Sequence, residues 1–203
     1  MRGSQPGKGG QLDRRTRRSQ RQLRTAFIQM VLDNGYHTVT IEELTERADV
    51  GRTTFYAHYK DKEDLLAHLV TELAEELRNR IDEVQTLDSV GFTGDVFRQV
   101  FQHALEEREL YLLILRGEGD GRALRQFIDG YCRRSEKTYR ARAEKLGVEP
   151  RLPAELLARS VAGELSSLLF WWLENDQPYS VEEMSTMMRD LGRHGRFWCA
   201  GFS

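Results

Sequence analysis

The sequence predicts an all-α protein: a small N-terminal helix-turn-helix head, joined by one long helix to a larger helical bundle. Three observations predict it. Apolar residues recur at helical spacing along nearly every segment, as in Leu65, Leu66, Leu69, Val70, Leu73, Leu77, Ile81 and Val84. No segment has the strict alternation of a half-buried strand. Helix start and stop signals are explicit, with Thr40 three residues before Glu43, Ser180 three before Glu183, and Asn34-Gly35 closing an early stripe. The expected divisions are an unstructured tail over 1–13, a head over 14–62 and a helical domain over 63–203.

Residues 1–12 have no periodicity and predict disorder. Next comes DRRTRRSQRQLR, in which Arg14, Arg15, Arg17, Arg18, Arg21 and Arg24 fall within eleven residues. Arginines at a helix start oppose the helix dipole, which favours an external anion. Leu23, Phe27, Met30 and Val31 continue as the apolar stripe of a first helix. The stretch 40–62, TIEELTERADVGRTTFYAHYKDK, organises the head. Thr40 and Glu43 form a capping box, and Ile41, Leu44, Thr45 and Ala48 give one buried face. Asp49-Val50-Gly51 breaks the helix at residues that tolerate turn angles. A short second helix follows, with Asp61 as the N-cap of the third. Phe27, Leu44, Val50 and Phe55 are expected to share the core of the head.

Two short helices across a tight turn form a helix-turn-helix of the DNA-binding kind. The exposed positions of the second helix carry side chains that reach phosphates and base edges. Arg52 suits a bidentate contact to guanine; Thr53 and Thr54 lie beside it, and Thr54 suits a thymine methyl or a phosphate. His58 is expected to face the DNA backbone, and the arginines at 14, 15, 17 and 18 to follow phosphates or enter a minor groove.

This stretch resembles the N-terminal domain of the TetR family of bacterial transcription regulators. The matching positions are Thr40, Leu44, Thr45, Ala48, Asp49, Val50, Gly51, Tyr56, Tyr59, Lys62 and Leu65. Three depart from the family pattern. Asp49 stands for the turn glycine, Gly51 for the serine that caps the recognition helix, and Tyr59 for Phe. The resemblance covers roughly residues 20–70. It implies phosphate or core positions for Tyr56 and Tyr59, a phosphate contact for Lys62, and DNA-facing roles for Thr40 and Gly51. It also implies a homodimer, a small-molecule effector bound in the body, and repression of a palindromic operator.

The body reads as further helices. A loop over 86–94 leads to the stripe of Val96, Phe97, Val100, Phe101, Ala104 and Leu105. Leu110 to Leu115 reads as a short buried helix, and Gly117 to Gly121 as a hinge. Two carboxylates there, with no Lys-Ser/Thr following, exclude a phosphate loop. A basic helix ends near Gly147, the most apolar helix spans 156–173, and a last one opens at Ser180. The two C-terminal helices are apolar on more than one side. Leu157, Val161, Leu165, Leu168, Trp172, Met184, Met188 and Leu191 are therefore the candidate dimer surface. Phe97, Phe101, His103, Tyr111, Phe127, Tyr131 and Trp171 are the candidate effector site, with Tyr hydroxyls or His103 to fix a polar group.

Composition limits the alternatives. A hydrophobic share of 39% with 31% charged residues is that of a soluble globular protein, and no apolar run approaches the ~18 residues of a membrane helix. No signal peptide is visible, and Cys132 and Cys199 lie too far apart for a disulfide framework, so a cytoplasmic location is expected. Residues 1–60 hold 11 Lys+Arg against 6 Asp+Glu, and the remainder 19 against 26, so a basic module sits on an acidic body. No catalytic motif appears, and no metal or cofactor is expected. His103 with Glu106 and Glu107 offers metal-ligand spacing of the kind found by chance on helices. Cys132 lacks a CxxC partner for redox work. The alternative function is a helix-turn-helix coactivator that works through a partner protein.

Overall fold

The computed structural model describes residues 8–84 and 94–201, apart from the side chains of residues 8–13 and of Phe197. Among the described residues there are nine α-helices and no strand. They are α1 Lys8–Asn34, α2 Ile41–Arg47, α3 Arg52–His58, α4 Lys62–Val84, α5 Asp95–Glu106, α6 Arg108–Leu115, α7 Arg122–Leu146, α8 Ala154–Glu174 and α9 Val181–Cys199. The chain divides into two compact units, Met1–Leu69 and Val70–Ser203, and the division falls inside α4.

In the first unit α1 starts at Lys8, so the helix reaches into the stretch expected to be unstructured; residues 1–7 lie outside the described residues. Extending an existing helix costs far less than starting one, which carries α1 through Gly9 and Gly10. Leu23, Phe27, Leu44 and Phe55 are fully buried and form the core. Val50, expected among them, is only half-buried. Phe27 meets Tyr36 edge-on with ring centroids 6.1 Å apart.

Thr40 caps α2, its hydroxyl accepting from the Glu43 amide at 3.2 Å and donating to the Glu43 carboxylate at 2.7 Å. The carboxylate thus binds the cap's hydroxyl where the sequence predicted its backbone amide. At the other end Asp49 adopts φ 51°, the Val50 amide donates to the Thr45 carbonyl at 3.0 Å, and the Asp49 amide donates to the Glu46 carbonyl at 3.1 Å. That is a Schellman closure with Asp in the glycine position. Asp61 caps α4, accepting from the Asp64 amide at 2.7 Å.

In the second unit α7 packs along α8, α5 along α9, and α6 on α8. All six residues from Leu110 to Leu115 are buried. Alanines 154, 158 and 162 face inward from α8, and α7 packs along this helix. Phe101 and Trp172 stack edge-on at 5.3 Å. Residues 85–93, most of the expected loop, lie outside the described residues. Gly94 follows them at φ 89°, its carbonyl accepting from the Ser185 hydroxyl at 2.8 Å. A Cβ on Gly94 would stand 3.2 Å from that hydroxyl, so both backbone angle and space require glycine. Ser180 and Glu183 form the full capping box of α9, and the carboxyl of Glu183 is held below its ordinary pKa by the Ser180 amide.

Candidate functional site

Within the first unit, the two helices of the motif leave one polar side open. Thr40, Gly51, Arg52, Thr53 and Tyr56 are exposed and Thr54 is half-buried. Arg14, Arg15, Arg17 and Arg18 are exposed on α1. Gly51 caps α3 through its backbone alone, its carbonyl accepting from the Thr54 and Phe55 amides at 2.9 and 3.1 Å. Its φ of −65° is ordinary, so glycine is not needed there for conformation.

Three of the expected DNA contacts are engaged elsewhere. Lys62 donates from Nζ to the carbonyls of Tyr36 at 2.9 Å and Val39 at 3.0 Å, with the ammonium 4.6 Å from the centre of the Tyr36 ring. Its stem is long enough to reach either a phosphate or the chain itself, and the Tyr36 and Val39 carbonyls lie within reach. Tyr59 is 4% exposed and packs against Phe55 and His68. His58 turns to α1, with Nε2 3.4 Å from the Ser19 hydroxyl. Glu42, which sequence reasoning passed over, forms an ion pair with Arg52. The first turn of α2 and the first turn of α3 lie ten residues apart, so no helical spacing signals that pair.

Within the second unit the seven residues expected to line an effector site separate. Phe97, Phe101, His103 and Tyr111 are buried in packed core. Trp171 is 42% exposed on the outer side of α8. Phe127 and Tyr131 line a cavity of about 330 Å³ between α4 and α7, together with Val70, Leu77, Ile81, Arg78 and Arg133. Two side-chain bonds bridge these helices: Gln126 donates to Thr71 at 3.1 Å, and Arg134 to Asp82 at 2.6 Å. The α4 contribution was missed because its apolar stripe looks like ordinary core.

Behind the cavity, Tyr111 meets Phe127 edge-on at 5.6 Å, and His103 Nδ1 lies 3.0 Å from the Tyr111 hydroxyl. His103 Nε2 has no hydrogen-bond partner among the described residues, with the Glu76 carboxylate at 3.6 Å, beyond hydrogen-bond range. Burial, then the charge of Arg80, lowers the His103 pKa, while Glu76 and Glu106 pull it up. The tyrosine hydroxyl therefore donates to Nδ1 and the neutral ring carries its proton on Nε2, facing Glu76. Glu106 is held ionised by Arg80 and Gln102, the first at 2.6 Å and the second at 2.8 Å. Among the described residues no group of three His, Cys, Asp or Glu side chains could hold a metal ion. Burial raises the Cys132 thiol, the opposite of an activated thiolate.

The expected dimer surface also divides. Leu165, Trp172, Met184 and Met188 are at most 2% exposed, so they serve the chain's own core. Leu157, Val161, Leu168 and Leu191 are half-buried. Among the described residues, the large apolar side chains that α8 and α9 expose are Leu156, Trp171, Met187 and Trp198. Apolar content alone cannot separate inner from outer positions on a helix that is apolar all round.

A capped helix-turn-helix with an exposed arginine helix beside it, on an all-helical body, defines a DNA-binding regulator. Residues 26–69 match the family model of bacterial regulatory proteins, tetR family, and residues 93–193 match that of a transcriptional regulator C-terminal region. The chain belongs to the tetR family of transcriptional regulators, a family of regulators rather than enzymes. Over 68 residues it is 34% identical to the uncharacterized HTH-type transcriptional regulator YxbF of Bacillus subtilis, taking in 33% of this chain and 18% of that protein. Over 177 residues it is 22% identical to the fatty acid metabolism regulator protein of the same species, 84% of this chain and 91% of that protein. Among solved structures, a TetR-family regulator from Syntrophomonas wolfei superposes with a TM-score of 0.76 at 20% identity, covering 92% and 97% of the two chains. The regulator FadR from Bacillus subtilis in complex with stearoyl-CoA gives 0.69 at 21%, covering 86% and 98%. At these identities the structural likeness concerns the fold. Among the described residues no helix is long and apolar enough to cross a membrane.

Proposed function

We propose that the protein is a ligand-responsive repressor that works in the cytoplasm as a homodimer on a palindromic operator. The exposed side of α2 and α3 carries the reading. Arg52, Thr53 and Thr54 contact base edges from the first turn of the recognition helix, with Tyr56 beside them. The α1 arginines and the Gly51 amide take phosphates, whereas the Thr40 hydroxyl already gives its proton to Glu43. One seven-residue helix reaches few bases, so specificity needs two heads on half-sites about 34–36 Å apart. Leu156, Trp171, Met187 and Trp198, apolar and uncovered on α8 and α9, support pairing of those helices between copies.

The effector enters the cavity between α4 and α7. A fatty acyl thioester is the ligand class, supported by the apolar wall of Val70, Leu77, Ile81 and Phe127, by Arg78, Arg133 and Arg134 in the lining, and by the stearoyl-CoA that the similar FadR structure holds. Ligand binding releases DNA only if the ligand prefers the DNA-free conformation. Because α4 lends residues to both units, a displacement of its cavity-lining stretch is transmitted to its first turn. Footprinting of the DNA upstream of the protein's own gene, with and without stearoyl-CoA, tests the reading. Support is a palindromic protected site that weakens about a thousandfold or more between about 50 and 200 mM salt and is lost with the thioester. Weak, sequence-blind binding refutes it and favours action through a partner protein.

A further inference from the structure

The recognition helix does not hold out its leading arginine free. The Arg52 guanidinium is paired through Nη2 with Oε1 of Glu42, in the first turn of α2. The side chains are 57% and 72% exposed, so burial does not force them together. Glu46 and Asp49 stand on the same edge, around an open concavity shared with Glu42 and Arg52. A head built only to adhere to DNA would keep carboxylates away from that arginine.

We propose that Glu42 is a specificity-determining residue, which makes Arg52 available to a base edge and withholds it from phosphates. This rests on the DNA-reading role proposed for α3. A guanidinium has five N–H donors in one plane. With Glu42 on one amino group, the remaining donors still match the O6 and N7 acceptors of guanine, so reading the operator leaves the ion pair intact. Reaching a phosphate instead turns the guanidinium away and leaves the Glu42 carboxylate unpaired beside a polyanion. Operator DNA therefore keeps both contacts. Non-operator DNA either forgoes Arg52 or meets an uncompensated negative charge, which is discrimination by repulsion.

The test uses the full chain as wild type, Glu42→Gln, Glu42→Asp and Arg52→Ala. Each selects sites from a pool of random duplexes. Affinities are then measured over a salt series for the duplex selected by wild type and for a scrambled one. An exposed ion pair shifts an equilibrium by up to about fivefold. Glu42→Gln should therefore tighten the scrambled duplex by about two- to fivefold and lower the ratio between the two duplexes accordingly. The freed Arg52 should steepen the salt slope on the scrambled duplex by about 0.9. Base preference should relax at one position per half-site, the position that Arg52→Ala also relaxes. Glu42→Asp keeps the charge but shortens the reach, and should relax the same position. The proposal is overturned if Glu42→Gln tightens both duplexes equally and selects the wild-type motif, or if its relaxed position differs from that of Arg52→Ala. A wild-type chain that selects no motif refutes the DNA-reading role itself, and the role of Glu42 with it. Thermal melting of each variant checks that the head stays folded.

Discussion

Replacing Lys62 separates two readings of one residue. The family resemblance implies a phosphate contact, whereas the structure engages its ammonium on the carbonyls of Tyr36 and Val39 and over the Tyr36 ring. Lys62→Met keeps the aliphatic stem and removes the charge. A hydrogen bond from a charged donor contributes about 1.5–3 kcal/mol. Both bonds here are part-buried, so the lower end applies to each. The Tyr36 carbonyl also accepts from the Val39 amide at 3.3 Å and is not orphaned by the change. Two such bonds with about 0.5 kcal/mol for the ring contact give a loss of about 3.5 kcal/mol. Urea unfolding of the full chain, followed by circular dichroism, measures it as a lower midpoint at unchanged slope. DNA binding, at temperatures where the variant is folded, should keep the wild-type salt slope. The reasoning is refuted if stability falls by less than about 0.5 kcal/mol while the salt slope drops by about 0.9, because Lys62 would then hold a phosphate.

Tyr111→Phe removes the donor to the buried His103 Nδ1 and should cost about 1–3 kcal/mol in urea unfolding. His103 itself sets a pH dependence. Its folded pKa lies below the 6.5 it has when unfolded, so below that pH the unfolded chain binds more protons than the folded one. Its stabilising contribution is complete well above pH 6.5 and declines as pH falls through and below it; urea midpoints of His103→Gln should lack that component, and identical pH profiles would refute the assignment. A Cβ at Gly130, inside α7 and in the cavity wall, meets nothing within 4 Å. Gly130→Ala should raise stability by about 0.5–1 kcal/mol, whereas Gly130→Phe should leave a folded chain that stearoyl-CoA no longer dislodges from DNA in footprinting. Trp171→Glu should weaken self-association by about 2 kcal/mol or more, read as a monomer by light scattering at normal helicity; a persistent dimer would place the interface elsewhere.

Short-range signals were the legible part of this fold. Ser180 and Glu183, Asp61, Gly147 and the Asp49 turn act within five residues of backbone, and the chain carries them out with little reference to tertiary context. Long stripes were legible too, and α4 from Lys62 to Val84 follows its predicted span closely. Choices among distant partners were not. Lys62, Tyr59 and His58 have chemistry that suits a phosphate equally well, and only the proximity of Tyr36, Phe55 and Ser19 directs them inward. On α8, Trp171 and Trp172 are chemically equivalent neighbours; rotation by one residue decides that the second enters the core while the first remains 42% exposed. The cavity was half legible, through Phe127 and Tyr131, because a sequence names aromatic residues but not the gaps between them.

The alanine seam between α7 and α8 bears on which part of the body can move. Ala154, Ala158 and Ala162 are buried on α8, and among the described residues α7 packs along α8 more extensively than any other helix pair. Against α4, α7 is held by polar tethers at exposed sites, Gln126 to Thr71 and Arg134 to Asp82. The stiffness of the two seams is therefore unequal. A guest wedged between α4 and α7 pushes against a fixed wall on one side and a compliant one on the other, so the displacement falls to α4.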